Sequence, residues 1–221
     1  MPPVKTIRFV GGARVYSVSD LTLLEAIGVV SFALSGAYAA IQRKMDVFGV
    51  LILAFTAACG GGILRDVVMD RGIPAFFSNY RAAALVCASV AAVAVFPGLF
   101  RTGLFVTALD AVGLAFFSVD AGLKAMALDY SLMQFLFSAV ITGVGGGVLR
   151  DVMAQRVPVI FRNDIYATAA IAGCLFMWYV RRVIGIEYAS LCALVIIAAV
   201  RVSTAYFGVN LPVMKVSPRE K

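Results

Sequence analysis

Long apolar stretches separated by short polar connections dominate the chain. Seven of them approach the roughly 20 residues that an α-helix needs to cross a bilayer core of about 30 Å. Nothing shows the alternating pattern of a membrane barrel, and lipid offers no partner to free backbone groups, so the pattern predicts an all-α membrane protein with seven transmembrane helices. The predicted spans lie near 21–41, 47–69, 82–99, 106–126, 131–153, 165–181 and 187–209.

Composition supports this assignment. Of the 221 residues, 62% are hydrophobic and only 14% are charged, whereas a soluble domain is about 25% charged. The net charge of +7 comes from basic residues placed singly or in pairs between apolar stretches. This placement favours anchoring at the surface of membrane lipids and does not favour binding of nucleic acid.

Candidate enzyme chemistry is sparse. The chain has no histidine, which removes the commonest general base and metal ligand. Its four cysteines lie within apolar stretches and lack the spacing of metal ligands, so we interpret them as packing residues. We therefore predict no catalytic residue, no metal site and no cofactor, and we expect that the protein is not an enzyme.

An internal repeat organises the chain. A shift of 85 residues aligns C-G-G-G-I-L-R-D at 59–66 with V-G-G-G-V-L-R-D at 144–151 without a gap. Each copy contains three predicted helices, and an odd number makes the second copy enter the membrane from the opposite side. We therefore predict an inverted 3+3 repeat followed by a seventh helix.

The repeat also sets the predicted boundaries. The helix starts correspond, since Thr22 to Glu25 and Thr107 to Asp110 both have the form of a capping box. The predicted divisions are an N-terminal tail at 1–20, a first repeat at 21–99, a second repeat at 100–182, a seventh helix at 183–209 and a C-terminal tail at 210–221.

Two glycine triplets fall in the second and fifth predicted helices. Each glycine costs about 1 kcal/mol relative to alanine in a water-exposed helix. We expect the triplets to kink or partly unwind their helices, so that freed carbonyls line a wet path; the alternative is close packing between helices. Glycine-interrupted helices at corresponding positions of two repeats point to a transport site. The six residues are Gly60, Gly61, Gly62, Gly145, Gly146 and Gly147.

Each triplet is followed by an arginine and an aspartate near the end of its predicted helix. Arginine at such a position can simply extend to the membrane surface. The alternative hypothesis is that the two copies form reciprocal ion pairs, Arg65 with Asp151 and Arg150 with Asp66.

One further carboxylate lies deep in the fourth predicted helix. Asp120 is predicted near mid-membrane, where an ionisable side chain is a functional candidate by default. Lys124, one turn further on, is its expected partner, and the equivalent residues of the first repeat are Ser35 and Ala39. The hydroxyls of Ser35, Thr56 and Thr142 are candidate neutral ligands, although each can instead bond to a carbonyl of its own helix.

Several motifs together resemble a known family. They are Phe32-Ala-Leu-Ser-Gly36, Met45-Asp-Val-Phe-Gly49, the two Gly-Gly-Gly-x-Leu-Arg-Asp motifs, the prolines Pro74 and Pro158, and Tyr80 and Tyr166. The chain is similar over about 21–209 to the bacterial trimeric intracellular cation (TRIC) channels, relatives of which are also catalogued as glycine transporters.

This resemblance implies an activity and a location. It implies a homotrimer in the bacterial inner membrane, with a pore inside each protomer that conducts monovalent cations such as K⁺ and Na⁺ and is gated at the glycine triplets. The alternative is a permease for a small solute such as glycine. In that case Arg65 or Arg150 would bind the carboxylate and Asp120 the ammonium group.

Overall fold

The computed structural model describes residues 23–78, 80–96, 103–161 and 165–208. Within these ranges the regular structure is helical, with short 3-10 turns at Ala75–Ser78 and Val159–Phe161. The seven α-helices are α1 (Leu23–Gln42), α2 (Val47–Val68), α3 (Tyr80–Val95), α4 (Gly103–Ala127), α5 (Leu132–Met153), α6 (Ala167–Ile184) and α7 (Ile186–Phe207).

Six of these seven helices are long and apolar enough to cross a membrane. The exception is α3, whose 16 residues rise only about 24 Å. The end of the predicted third span, at 97–99, lies outside the described residues, as do both predicted tails. Many apolar side chains are exposed on the outside of the bundle; Val47 and Val183 are more than four-fifths exposed. Such an apolar surface fits a lipid environment.

Local signals explain several helix starts. The Asp46 side chain accepts a hydrogen bond from the N–H of Gly49 at 2.7 Å, and Ser131 with Gln134 forms a capping box at the start of α5. The predicted start at Thr107 is wrong, because α4 begins at Gly103. Consequently Asp110 lies in the second turn of α4, where its carboxylate is buried. Thr22 lies outside the described residues.

Helices α1 and α4 are equivalent under the 85-residue shift, and their contacts occur in reciprocal pairs. The rings of Phe32 and Phe117 stack with centroids 5.5 Å apart. A Cβ on Gly28 would lie 2.8 Å from the Phe117 ring, and one on Gly113 would lie 3.0 Å from the Phe32 ring. Each glycine therefore leaves space for the phenylalanine of the other repeat.

Helices α2 and α5 cross at the glycine triplets with their backbones in contact. A Cβ on Gly61 would overlap the carbonyl oxygen of Thr142, and one on Gly146 would overlap that of Ala57. These contacts are also reciprocal under the 85-residue shift. Both helices continue without interruption through their triplets, so the expected partial unwinding is wrong for this conformation. The close-packing alternative describes it correctly.

Candidate functional site

A first cavity, of about 40 Å³, lies beside the end of α2. We call it the acidic cavity after its three carboxylates, which outnumber its two basic side chains. Gly62 and Thr142 form part of its wall. Its charged lining residues are Glu25, Asp66, Asp120, Arg65 and Lys124.

Lys124 joins two of these carboxylates. Its ammonium nitrogen lies 2.7 Å from an oxygen of Asp120 on the same helix and 2.6 Å from an oxygen of Glu25 on α1. The predicted pairing of Asp120 with Lys124 is confirmed. Asp120 is 3% exposed, and a carboxylate buried to that extent requires such a partner.

Asp66 connects the end of α2 to the segment that follows it. One carboxylate oxygen lies 2.8 Å from Arg65 Nη2, and the other accepts the N–H of Ala75 at 3.0 Å. Arg71, beyond the end of α2, lies 3.3 Å from the same carboxylate. Partial burial lowers the pKa of the Arg71 guanidinium, and the positive charge of Arg65 lowers it further.

A second and larger cavity, of about 580 Å³, lies beside the end of α5. Four arginines and only two aspartates line it, and we therefore call it the basic cavity. These six residues are Arg43, Arg150, Arg156, Arg201, Asp110 and Asp151.

Arg150 makes the densest set of polar contacts in the basic cavity. Its Nη1 lies 2.5 Å from an Asp110 oxygen and 2.6 Å from the Ser35 hydroxyl, while Nε donates to Asp151 at 3.0 Å. The other oxygen of Asp151 accepts the N–H of Val159 at 3.2 Å. The guanidinium thus joins α1, α4 and α5, since each supplies one of its partners.

These contacts correct the hypothesis of reciprocal pairing between the motifs. Arg65 pairs with Asp66, and Arg150 pairs with Asp151, each within its own copy. The side chains are long enough to fold back onto the adjacent residue, so neighbouring positions on a helix do not prevent the contact.

The six glycines occupy different surroundings. Gly62 lines the acidic cavity, and nothing lies within 4 Å of the position of its absent Cβ. A Cβ on Gly60 would meet Leu149 at 2.6 Å, and one on Gly147 would meet the Tyr166 hydroxyl at 3.1 Å. The remaining glycines, Gly61, Gly145 and Gly146, lie at the helix crossing.

Two of the candidate hydroxyls bond to their own helices. Thr56 donates to the carbonyl of Ile52 at 2.8 Å, and Thr142 donates to that of Ser138 at 2.7 Å. Of these two residues, Thr142 lines the acidic cavity. The third candidate, Ser35, lines the basic cavity and accepts a hydrogen bond from Arg150.

The two cavities lie at opposite ends of α1 and α4. The acidic cavity contacts Glu25, near the start of α1, and Lys124, near the end of α4. The basic cavity contacts Gln42, at the end of α1, and Asp110, near the start of α4. Along α1, Phe32 falls between Val29 of the acidic cavity and Ser35 of the basic cavity. Along α5, Gly146 falls between Thr142 of the acidic cavity and Arg150 of the basic cavity.

Sequence reasoning missed two functional candidates. The sequence pattern placed Asp110 in a capping box and did not single out Arg201, yet both are 5% exposed and line the basic cavity. A usable signal existed for Asp110, because Glu25 occupies the equivalent position of the first repeat. For Arg201, which lies outside the repeat, the signal was its position inside the predicted seventh span, where an ionisable side chain is a functional candidate by default.

Apolar helices that enclose charged cavities define a multi-pass membrane protein with a polar interior. A sequence model of the family described as "Glycine transporter" matches residues 22–97 and again residues 107–182. The two matches are offset by 85 residues, as in the internal repeat. The chain belongs to this family, which includes the TRIC channels.

Curated relatives and solved structures agree with this membership. The chain is 35% identical to the UPF0126 inner membrane protein YadS of Escherichia coli K12, over 86% of this chain and 93% of that protein. It is 37% identical to a UPF0126 membrane protein of Deinococcus radiodurans, over 74% and 78% of the two chains. These relatives indicate a multi-pass protein of the bacterial inner membrane.

Two solved structures are similar over most of their length. A TRIC cation channel described in connection with conductance gives a TM-score of 0.79 at 29% identity, covering 88% of this chain and 97% of that chain. The trimeric intracellular cation channel orthologue from Rhodobacter sphaeroides gives 0.80 at 26% identity, covering 85% and 97%. The structural neighbours support a cation channel.

Proposed function

We propose that the protein is a K⁺-permeable channel for monovalent cations with a conduction path inside each protomer. The observation that carries this proposal is the pair of polar cavities at opposite ends of α1 and α4, separated by the glycine crossing. We propose that the conduction path joins the two cavities at this crossing.

The proposed architecture is an inverted 3+3 repeat. The reciprocal contacts between α1 and α4 and between α2 and α5 support a two-fold relation between the repeats. The antiparallel contact of α1 with α4 supports the inversion, because Lys124 near the end of α4 bonds to Glu25 near the start of α1.

The proposed gate is the crossing of α2 with α5. At Gly61 and Gly146 the two backbones are in contact, so a small separation of the helices would open space along the path. Asp120 and Glu25 would supply negative charge that favours cations on one side of the gate. Arg65, Asp66, Arg150 and Asp151 would hold the helix ends that flank it.

The proposed assembly is a homotrimer. The support is the similarity to structures described as trimeric channels and the broad apolar outer surface of the bundle.

The test is single-channel recording of the purified protein in a planar bilayer under a KCl gradient. We expect discrete current steps that reverse near the K⁺ equilibrium potential. A silent bilayer, together with saturable glycine uptake into liposomes from the same preparation, would contradict the channel and support the permease alternative.

A further inference from the structure

Arg201 is a buried arginine without a counter-ion among the described residues. It is 5% exposed and lines the basic cavity. Its Nε and Nη1 atoms have no hydrogen-bond partner there, and its guanidinium carbon lies 5.0 Å from the centre of the Tyr166 ring. Buried charges in proteins are normally paired, since an unpaired one is costly.

Two further arginines of the same cavity have neutral partners. Arg43 donates to the carbonyl oxygen of Gln155 at 3.0 Å. Arg156 donates to the side-chain oxygen of Gln42 at 2.8 Å. Partial burial lowers the pKa of Arg156, and the nearby positive charge of Arg43 lowers it further, against a smaller opposing effect of Asp151.

The carboxylates of the cavity form their ion pairs with Arg150, and among the described residues none forms an ion pair with these three arginines. Asp110 and Asp151 both contact Arg150, at 2.5 Å and 3.0 Å. Three positive charges therefore face one cavity without an ion-pair partner in the described part of the chain.

We propose that the basic cavity binds a small oxyanion, with Arg43, Arg156 and Arg201 as its ligands. Guanidinium groups present planar sets of N–H donors that match the oxygens of phosphate and carboxylate groups. The cavity volume of about 580 Å³ leaves ample room for such an ion. Arg43 is exposed as well as lining the cavity, so an anion in solvent can reach this part of the site.

The proposal does not rest on the channel function, because its readout is binding and not conduction, although the bound anion would lie in one of the two cavities that the proposed path joins. It predicts that an oxyanion stabilises the folded protein, since a ligand that binds only the native state raises the unfolding temperature. The experiment measures the Tm of the full chain in detergent, in sodium phosphate and in sodium acetate, against sodium chloride at the same pH and ionic strength.

For the wild type we expect a rise in Tm of roughly 5 °C in at least one of the two oxyanions relative to chloride. A rise in phosphate alone would assign a phosphate-type ligand, and a rise in acetate would assign a carboxylate. Absence of a rise in both would overturn the proposal.

Substitution of single arginines should show which of them bind the oxyanion. Arg156→Gln and Arg43→Gln should lose most of the rise, whereas Arg81→Gln, at an exposed position on α3 away from this cavity, should retain it. An equal rise in all three would overturn the proposal.

Arg201→Gln gives a second, independent criterion. In chloride its Tm should equal or exceed that of the wild type, because an unneutralised buried charge has been removed. In the stabilising oxyanion its Tm should be lower than that of the wild type. If the variant is destabilised to the same extent in both salts, Arg201 has a protein counter-ion and the proposal is wrong.

Discussion

In the first repeat Asp66 accepts hydrogen bonds from Arg65 and from the N–H of Ala75; in the second repeat Asp151 accepts them from Arg150 and from the N–H of Val159. Both aspartates thus connect the end of a glycine-containing helix to the 3-10 turn that follows it. The corresponding geometry indicates that the arginine-aspartate pair has a structural role that both copies retain.

The repeats differ in the partner of the acid near the start of α1 or α4. Glu25 bonds to Lys124, whereas its equivalent Asp110 bonds to Arg150. The first-repeat counterpart of Lys124 is Ala39, which offers no ammonium group to Asp110. Arg150 therefore takes that position. The charges of the two cavities also differ elsewhere, because the counterpart of Asp120 is Ser35 and because Arg201 lies outside the repeat.

The largest expected effect concerns the helix crossing that both copies share. Gly61→Ala or Gly146→Ala should lower the free energy of unfolding by about 3 kcal/mol or more, because the added methyl overlaps a backbone carbonyl of the other helix. Thermal unfolding in detergent measures the loss. Gly62→Ala is the matched control and should unfold no earlier than the wild type, since nothing lies within 4 Å of the new Cβ. Equal losses at Gly61 and Gly62 would rule out backbone contact.

The equivalent acids Asp110 and Glu25 should contribute different amounts to the free energy of unfolding. Asp110→Asn should cost about 2–3 kcal/mol of unfolding free energy, somewhat below the usual cost of breaking a buried ion pair because Arg150 retains Asp151. Glu25→Gln should cost about 1 kcal/mol or less, because its carboxylate is more exposed and Lys124 retains Asp120. Equal losses of unfolding free energy in the two variants would contradict this difference between the repeats.

Removal of a carboxylate from the acidic cavity, or addition of one to the basic cavity, should change the ion selectivity. Asp120→Asn should reduce the K⁺ over Cl⁻ permeability ratio a few-fold by removing a buried carboxylate from the acidic cavity. Ser35→Asp, at the equivalent position, should raise the ratio by placing a carboxylate against Arg150. Reversal potentials under a KCl gradient measure both. An unchanged ratio in both variants would place the ion path elsewhere.

The smallest effect is expected for Arg71, which lies beyond the first Gly-Gly-Gly-x-Leu-Arg-Asp motif. Arg71→Gln removes a contact of 3.3 Å to Asp66, which keeps Arg65 as its partner. The expected loss of unfolding free energy is within about 1 kcal/mol, as for other partly exposed ion pairs. A loss above 2 kcal/mol, measured by the same thermal unfolding, would give Arg71 a structural role that its position does not suggest.

The sequence predicts the helices well because spanning length is a local property. The predicted span at 47–69 and the observed α2 differ by one residue, and the pairing of Asp120 with Lys124 follows from their helical spacing alone. The start of α4 was predicted wrongly because the capping-box pattern at Thr107 is local, whereas the partner of Asp110 is 40 residues away on α5.

The glycine triplets are a second case in which the local sequence does not determine the structure. Their sequence is equally compatible with an unwound helix and with a close crossing, and the choice depends on the neighbouring helix. At Gly61 and Gly146 that neighbour is the other triplet's own helix. The hypothesis that the arginine-aspartate pairs form between copies was wrong because the reach of a long side chain to its adjacent residue is not visible in the spacing.

The central claim, that cations pass through the acidic cavity next to the helix crossing, is tested most directly by thiol modification during recording. The variant Gly62→Cys is prepared in a chain whose four native cysteines are replaced by alanine, with that cysteine-free chain as the control. We predict that a cationic thiol reagent blocks the current of Gly62→Cys and leaves the control unaffected. Covalent labelling of Cys at position 62, proved by mass spectrometry, with undiminished current would contradict the claim.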